Sequence, residues 1–325
     1  MRRARGFLFL LVALACAGAW AQAPYPSRPV RMLVTFPPGG STDLIARIIS
    51  APLAERLGKP VLVENRPGAS GAIAAEVVAK SPPDGHTLLV APTSSVMGLN
   101  PLLIPNLPYD PKDFAFITLL VTSPFLVAVS PAAMPGVNTL PQLIAAIKQK
   151  GTSVPFGSGG YLSGMHLAGE LFKSLTGLNM THVPYKGNGP ALSDLAGGQI
   201  PIAFVDLGST GPFVKSGRIK IVALAIKQRS ALAPDLPTAA ELGLPGWEAV
   251  GSFGLVTPVG TPQEVIRRLN TEVTAILRLP DVRERILATG NEPAPGTPEE
   301  HAAFTAHEVA KWTKVFKDAG LKPEQ

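Results

Sequence analysis

Cysteine is almost absent from this 325-residue chain, and Cys16 is the only one. It lies in the apolar run Phe7–Ala17, behind Arg2, Arg3 and Arg5 and ahead of Ala19-Trp20-Ala21. That order reads as an export signal of residues 1–21, cleaved near Ala21. The run is too short to anchor stably in a bilayer. The residues before Cys16 suit a lipidation site poorly, and those around Arg2-Arg3 suit twin-arginine export poorly. A mature chain from Gln22 has no thiol, which excludes disulfides and thiol catalysis. Charge is also scarce, at 16% of residues, and aromatics reach only 6%. Without the leader arginines the net charge falls from +6 to about +3 and forms no basic run, so nucleic acid is excluded as the expected partner. After the leader no apolar run is long enough to cross a membrane, so a soluble, exported chain is expected.

Glycine and proline are plentiful, at 32 and 34 residues. They punctuate a β-α-β-α-β order at the start. Val30–Phe36 is a short apolar strand closed by Pro37-Pro38. Gly39 and Gly40 lead into a helix with Ser41 or Thr42 at its cap and Asp43 in its first turn. Leu44, Ile45, Ile48, Ile49, Leu53 and Leu57 repeat at helical spacing, which predicts one buried face. Such a helix start offers free N–H groups and partial positive charge to an anion, unless it is an ordinary strand-to-helix turn. Strands follow at Pro60–Glu64 and Thr87–Ala91, with a helix near Ala72–Lys80 between them. The order implies parallel strands, whose carboxyl ends gather ligands. Thr93, Ser94 and Ser95 lie at such an end.

Asn100–Asp113 reads as irregular, and Phe114–Val121 and Phe125–Ser130 as two apolar runs split by Ser123-Pro124. A second cycle follows. Its strands are Ser153–Phe156, Thr181–Tyr185, Ile200–Val205 and Ile219–Ile226. Its helices are Thr139–Lys150, one capped near Ser163, Gly189–Leu195 and Pro212–Ser216. The turn Gly157–Tyr161 and the cap at Ser163 repeat the glycine-to-helix device of Gly39–Ser41. Trp247–Pro258 reads as a strand returning to the first half. Helices at Pro262–Leu277, Asp281–Ala288 and Pro298–Ala319 are expected to pack there too. The expected fold class is α/β in two lobes, each a mixed, mostly parallel sheet flanked by helices. Crossings near Ser123–Pro124 and Gly251–Phe253 would form a hinge.

Catalytic readings are weaker. His166 and Glu170 have a metal-ligand spacing, but no third ligand stands nearby, so no metal is expected. Gly68-Ala69-Ser70-Gly71-Ala72 lacks the last glycine of a nucleophile elbow, and Ser158 follows Phe156-Gly157 without the first. Neither has an acid and histidine in the expected order. Neither glycine turn fits a phosphate loop, and no cofactor is expected. His86 reads as structural, and His301 and His307 as exposed on the last helix. Tyr185-Lys186-Gly187 ends a strand, where Lys186 either steers an acidic ligand or is simply solvated. Asp206 either accepts a hydrogen bond from a ligand or caps the following turn.

The blocks YPSRPVRMLVTFPPGGSTDLIAR, VENRPGASG, PDGHTLL, Asn100-Pro101 and LPYDPKDF stand in order along the first half. FGSGG, HLAGELFK, HVPYKGNGPALSDLAGGQI, LPTAAELGLPG, TPVGTP and RLN continue the series to the C-terminal part. In these blocks the chain resembles the Bug family, the periplasmic solute-binding receptors of tripartite tricarboxylate transporters. The resemblance implies a type II-like flytrap without catalysis, holding a small carboxylate between glycine loops with the help of ordered water. It implies membrane transporter subunits as partners and a monomeric receptor. A sensor that presents its closed form to a receptor kinase is the alternative. The implied lobes are 22–123 plus 253–325 and 124–252.

Carried over by motif, the first-lobe loop supplies Phe36, Pro38, Gly39, Gly40, Ser41, Thr42 and Asp43, and the hydroxyl turn supplies Thr93, Ser94 and Ser95. The second-lobe loop supplies Ser158, Gly159, Gly160, Tyr161, Leu162 and Ser163, with His166 on its helix. Tyr185, Lys186 and Asp206 complete the implied ligand-binding set. Three departures stand out from the usual pattern. Tyr161-Leu162-Ser163 replaces smaller residues, Phe253 a common tryptophan, and Gly208 a frequent proline. Tyr161 and Leu162 therefore predict a preference for a flat or aromatic carboxylate.

Overall fold

A computed structural model describes residues 25–323. The expected leader, with Cys16, lies outside the described residues. The chain opens with β1 (Val30–Val34), α1 (Ser41–Leu57), β2 (Val61–Asn65), α2 (Ala72–Ala79) and β3 (Thr87–Pro92). β1 pairs in parallel with β2 on one side and β3 on the other, as the alternating order requires. Ile45, Ile48, Ile49, Leu53 and Leu57 of α1 pack on that sheet, and Gly58 ends the helix at φ 68°. Leu44, expected on the buried face, is instead 40% exposed.

Residues 100–103 depart from the irregular connection expected over Asn100–Asp113. Ser94–Leu99 winds as a π-type helix and continues into α3 (Asn100–Leu103). Pro101 near the start of α3 needs no N–H partner, so it opens a helix here rather than breaking one. The two apolar runs that follow form one strand, β4 (Phe114–Val129). Pro124 does not end it, because its missing donor falls where the strand passes between two neighbourhoods. Before Pro124, β4 pairs with the antiparallel β9 (Val250–Pro258). From Phe125 onward it pairs with β7 (Ile202–Asp206) and β8 (Lys220–Leu224).

β4 thus joins two halves of a ten-stranded sheet. The first half carries β2, β1, β3, β9 and β4. The second carries β4, β7, β5 (Val154–Ser158) and β6 (Met180–Pro184), with β5 parallel to both neighbours. The two expected crossings are side by side, since Ser123 pairs with Gly251 and Pro124 with Val250. Helices α4 (Leu140–Lys150), α5 (Gly164–Thr176), α6 (Asn188–Ala196) and α7 (Gly211–Lys215) belong to the second half. Thr139 and Gln142 form a reciprocal cap on α4. Trp247, fully buried, packs on Phe172 and Phe204 and donates to the Ala168 carbonyl at 2.8 Å.

Helices α8 (Gln263–Leu277) and α9 (Pro280–Leu287) cover the first half, where Ile266, Leu269 and Ile286 join the α1 core. β10 (Glu292–Pro293) adds a short pairing to β4. The last helix, α10 (Pro298–Asp318), does not stay on the first half as expected. His301 in its first turn meets Phe116 and Val309 in its middle meets Gly98, while Trp312 and Val315 join the core of Phe156 and Leu167. It therefore ties both halves together. His301, expected to be exposed, is 1% exposed under β9, because it lies on the face of α10 that rests on Gly254. His307 is exposed.

Candidate functional site

A cavity of about 560 Å³ opens between the two halves. Its size falls in the range of sites for small molecules. Its rim on the first half is the start of α1. Gly39 adopts φ 85°, which turns the chain after Pro37-Pro38. Gly40 then stands at the N-cap with no side chain bonding the first turn. The open N–H groups of that turn, with the positive end of a 17-residue helix, face the cavity beside Ser41 and Thr42.

Asp43 builds this rim without lining it. Its buried carboxylate accepts from Gly39 N at 2.9 Å, Arg47 Nε at 3.0 Å and Asn65 Nδ2 at 2.9 Å. Asn65 also donates to the Phe36 carbonyl at 3.0 Å, so the loop is strapped down at both ends. Burial pushes the Asp43 carboxyl up, but the hydrogen bonds and the Arg47 charge outweigh it and hold the group low.

Ser94 and Ser95 line the cavity from the end of β3, but Thr93 does not. Thr93 lies beneath Gly254 beside His301, and its hydroxyl has no protein partner. Ser94 Oγ donates to Glu308 of α10 at 3.4 Å, and the same carboxylate accepts from Trp312 Nε1 at 2.8 Å. Lys311 closes an ion pair on it. One buried acid thus ties a hydroxyl on the first half to an indole that reaches the second.

The cavity floor comes from the two crossing strands. Phe125 of β4 and Val250, Gly251, Ser252 and Phe253 of β9 face it. The Phe125 ring is held between glycines: a Cβ on Gly164 or Gly251 would lie 3.0 or 3.2 Å from it. Ser252 is 3% exposed, and its hydroxyl has no partner. The opposite wall is the first turn of α5. Ser163 caps that helix by accepting from His166 N at 3.2 Å, which leaves Gly164 and Met165 facing the cavity. Asp206 ends β7 in the lining, where it accepts from Ser209 N at 2.9 Å and from Asn188 Nδ2. It caps the turn, one of its two sequence readings, and also faces the cavity.

Of the sequence-derived set, Phe36, Pro38, Gly40, Ser41, Thr42, Ser94, Ser95 and Asp206 are brought together in this lining. Gly39, Asp43, Thr93, Ser158, Gly159, Gly160, Tyr161, Leu162, Ser163, His166, Tyr185 and Lys186 are not. The second-lobe turn stands behind the wall, and the helix it starts provides the surface. His166 stacks on His182 with ring centroids 3.7 Å apart, and Tyr161 lies beside both, at 5.2 and 6.4 Å. His166 Nδ1 accepts from Leu162 N at 3.0 Å, fixing Leu162 at φ 56°. Tyr161 OH turns away to the Lys322 carbonyl at 3.1 Å. These contacts keep Tyr161 and Leu162 out of the cavity lining. Phe125, Met165, Leu99 and Trp312 line it. Tyr185 OH is committed to Asp194 at 2.8 Å, and burial together with that acid pushes it up to about 12. Lys186 is exposed.

Ser158 does meet a histidine, with Oγ 2.7 Å from His182 Nε2. The serine is fully buried and also bonds the Gly160 backbone, so it offers no nucleophile to the cavity. Burial, then the neighbouring His166, lowers His182 to about 3. Glu170 lies 3.6 Å from His166 but is claimed by Lys173 at 2.8 Å. Sequence reasoning missed Phe125, Met165, Asn291 and Trp312. Only Phe125 carried a signal, as the first residue after Pro124 at the crossing.

Comparison with known proteins gives a consistent result. The model of the tripartite tricarboxylate transporter family receptor matches residues 45–321. Protein BugT of Bordetella pertussis is 35% identical over 321 residues, covering 97% of this chain and 98% of that protein. R. palustris Rpa4515, solved with adipate, is 36% identical at a TM-score of 0.76, covering 92% of this chain and 100% of the other. MatC from Rhodopseudomonas palustris, with bound malate, is 32% identical at a TM-score of 0.71, covering 90% and 99%.

Proposed function

Because the chain belongs to the tripartite tricarboxylate transporter receptor family, we propose that it captures a small carboxylate between its two halves and hands it to the membrane subunits of such a transporter. The observation that carries this reading is the cavity with a helix N-terminus on each side. The first turn of α1 presents Gly40, Ser41 and Thr42, and the first turn of α5 presents Gly164 and Met165. Backbone N–H groups and two helix dipoles hold a carboxylate without a cationic side chain. Adipate and malate in the related structures support the ligand class.

In this reading residues 22–123 with 253–325 form one lobe and 124–252 the other. The hinge is where β4 and β9 cross, at Ser123-Pro124 and Val250–Phe253. The ligand favours the closed arrangement because only there do both helix starts reach it. The chain is exported, its leader is cleaved near Ala21, and it works as a monomer. In this reading it performs no catalysis, and among the described residues the Ser158–His182 pair is sealed behind the wall.

A thermal-shift screen of residues 22–325 against mono-, di- and tricarboxylates tests the proposal. A ligand at a hundredfold excess over its Kd adds about 2.7 kcal/mol of stability, which raises the melting temperature by several degrees. No shift with any carboxylate contradicts it.

A further inference from the structure

The chemistry of the cavity floor narrows the ligand beyond a carboxylate, and this step rests on the receptor reading above. Phe125 of β4 and Asp206 of β7 are direct partners in the antiparallel ladder. Residues so paired send their side chains to one face, with Cβ atoms about 5 Å apart. Both line the cavity. Two opposing glycines fix the Phe125 ring, and two hydrogen bonds fix the Asp206 carboxylate. Around this pair the wall is apolar, with Leu99, Met165, Leu167, Phe253 and Trp312. Asp206 is the one charged side chain among the described residues of the lining. Ser252 adds a buried hydroxyl that has no partner in the protein.

We propose that the solute is an aromatic monocarboxylate bearing a hydroxyl or amino donor on its ring. The carboxylate sits at the start of α1. The ring lies against Phe125, where flat faces and edges stack favourably. The donor meets Asp206. The spacing of a cross-strand pair is about the width of one aromatic ring, so a donor on the ring reaches Asp206 while the ring covers Phe125. A second carboxylate near this pair would face the charge of Asp206 or lose its water against apolar side chains. A flexible diacid finds no cationic side chain here to offset that loss.

Isothermal calorimetry on residues 22–325 with benzoate, 3- and 4-hydroxybenzoate, 4-aminobenzoate, adipate and malate tests the proposal. A charge-assisted hydrogen bond to Asp206 makes the best hydroxy- or aminobenzoate bind about tenfold tighter than benzoate. Both diacids bind weaker than benzoate. Asp206→Asn keeps the acceptor for Ser209 N and removes the charge. It should cut the donor's advantage to about threefold or less while tightening adipate and malate. A merely structural Asp206 would weaken all ligands together, which overturns the assignment. Adipate or malate binding tighter than every aromatic acid also overturns it, and points to α1 and α5 each holding one carboxylate. That outcome leaves the receptor reading standing. Binding of no carboxylate, in this panel or in the wider screen, removes both.

Discussion

Gly208 and Gly290 meet backbone to backbone, one from the turn after β7 and the other from the end of α9. A Cβ on Gly290 would lie 2.3 Å from Gly208 Cα, and one on Gly208 would lie 3.0 Å from Gly290 Cα. The contact closes one side of the cavity, next to Asp206, Thr289 and Asn291. Nearby, Ser230 bonds Glu292 across the same seam. Gly208→Val should therefore hold the halves apart. Carboxylate affinity should fall about tenfold or more, while stability changes by no more than about 1 kcal/mol, because neither core is touched. Calorimetry read beside small-angle scattering checks this. Full affinity with an unchanged radius of gyration would show that the contact has no part in closure.

Asp43 supports the anion site from behind. Asp43→Ala leaves Gly39 N and Asn65 without their acceptor and should cost about 1–3 kcal/mol of stability. It should also weaken carboxylate binding, because the loop that ends at Gly40 loses its strap. The folded protein holds the Asp43 carboxyl below its ordinary 3.8. Its contribution is therefore fully present above that value and is lost as pH falls through the lower, folded value. Urea melts at pH 7 and pH 3 should show the variant's deficit shrinking at the lower pH.

His301 sets a second pH dependence. Burial beneath Gly254 and Phe116 lowers it from 6.5 to about 3. Below pH 6.5 the unfolded chain takes up a proton that the folded chain refuses. Stability is thus complete above that pH and falls by about 1.4 kcal/mol per pH unit on the way down to the folded value. His182, also lowered to about 3, adds to the slope. Replacing His301 with Phe should remove its share. An unchanged slope between pH 6 and pH 4 would contradict the assignment.

Glu308 joins the halves through side chains. Glu308→Leu leaves the half-buried Lys311 ammonium with only the Glu248 carbonyl, at 3.1 Å, and frees Ser94 and Trp312. Loss of one partner from a buried pair costs about 3–5 kcal/mol. Denaturant melts should show that loss. Glu308→Gln, whose one amide oxygen still accepts from Ser94 and Trp312, should recover part of it. A cost within about 0.5 kcal/mol for the leucine variant would mean the pair is solvated.

Local signals made the first half of the fold readable. Short apolar runs between Pro29, Pro37, Gly58 and the Pro82–Gly85 turn leave few alternatives to β1–α1–β2–α2–β3, and the start of α1 was recognisable from Gly39, Gly40 and Asp43. Tertiary placement was not readable in this way. The turn before α5 resembles the one before α1, but His166, His182 and Tyr161 pack it into the lobe. The surface offered to the cavity therefore shifts to Gly164 and Met165. Trp312 enters the site only because α10 crosses from one half to the other. Asn291 enters because the segment after α9 returns to β4. Neither follows from spacing along the chain. Residues 100–103 misled for a related reason: the prolines of Asn100–Asp113 read as an irregular connection, although Pro101 opens a helical turn.

The central claim is that a carboxylate rests on the first turn of α1 in the closed cavity. Gly40 gives direct access to it, because a Cβ there meets only the Pro37 carbonyl at 3.5 Å and needs no unusual backbone. Gly40→Leu fills the anion position and leaves the fold alone. In a thermal-shift titration of wild type and variant with the same carboxylate panel, the wild type should gain several degrees with at least one acid. The variant should melt at the same temperature without ligand and gain nothing. A variant that retains the wild-type shift would contradict the claim.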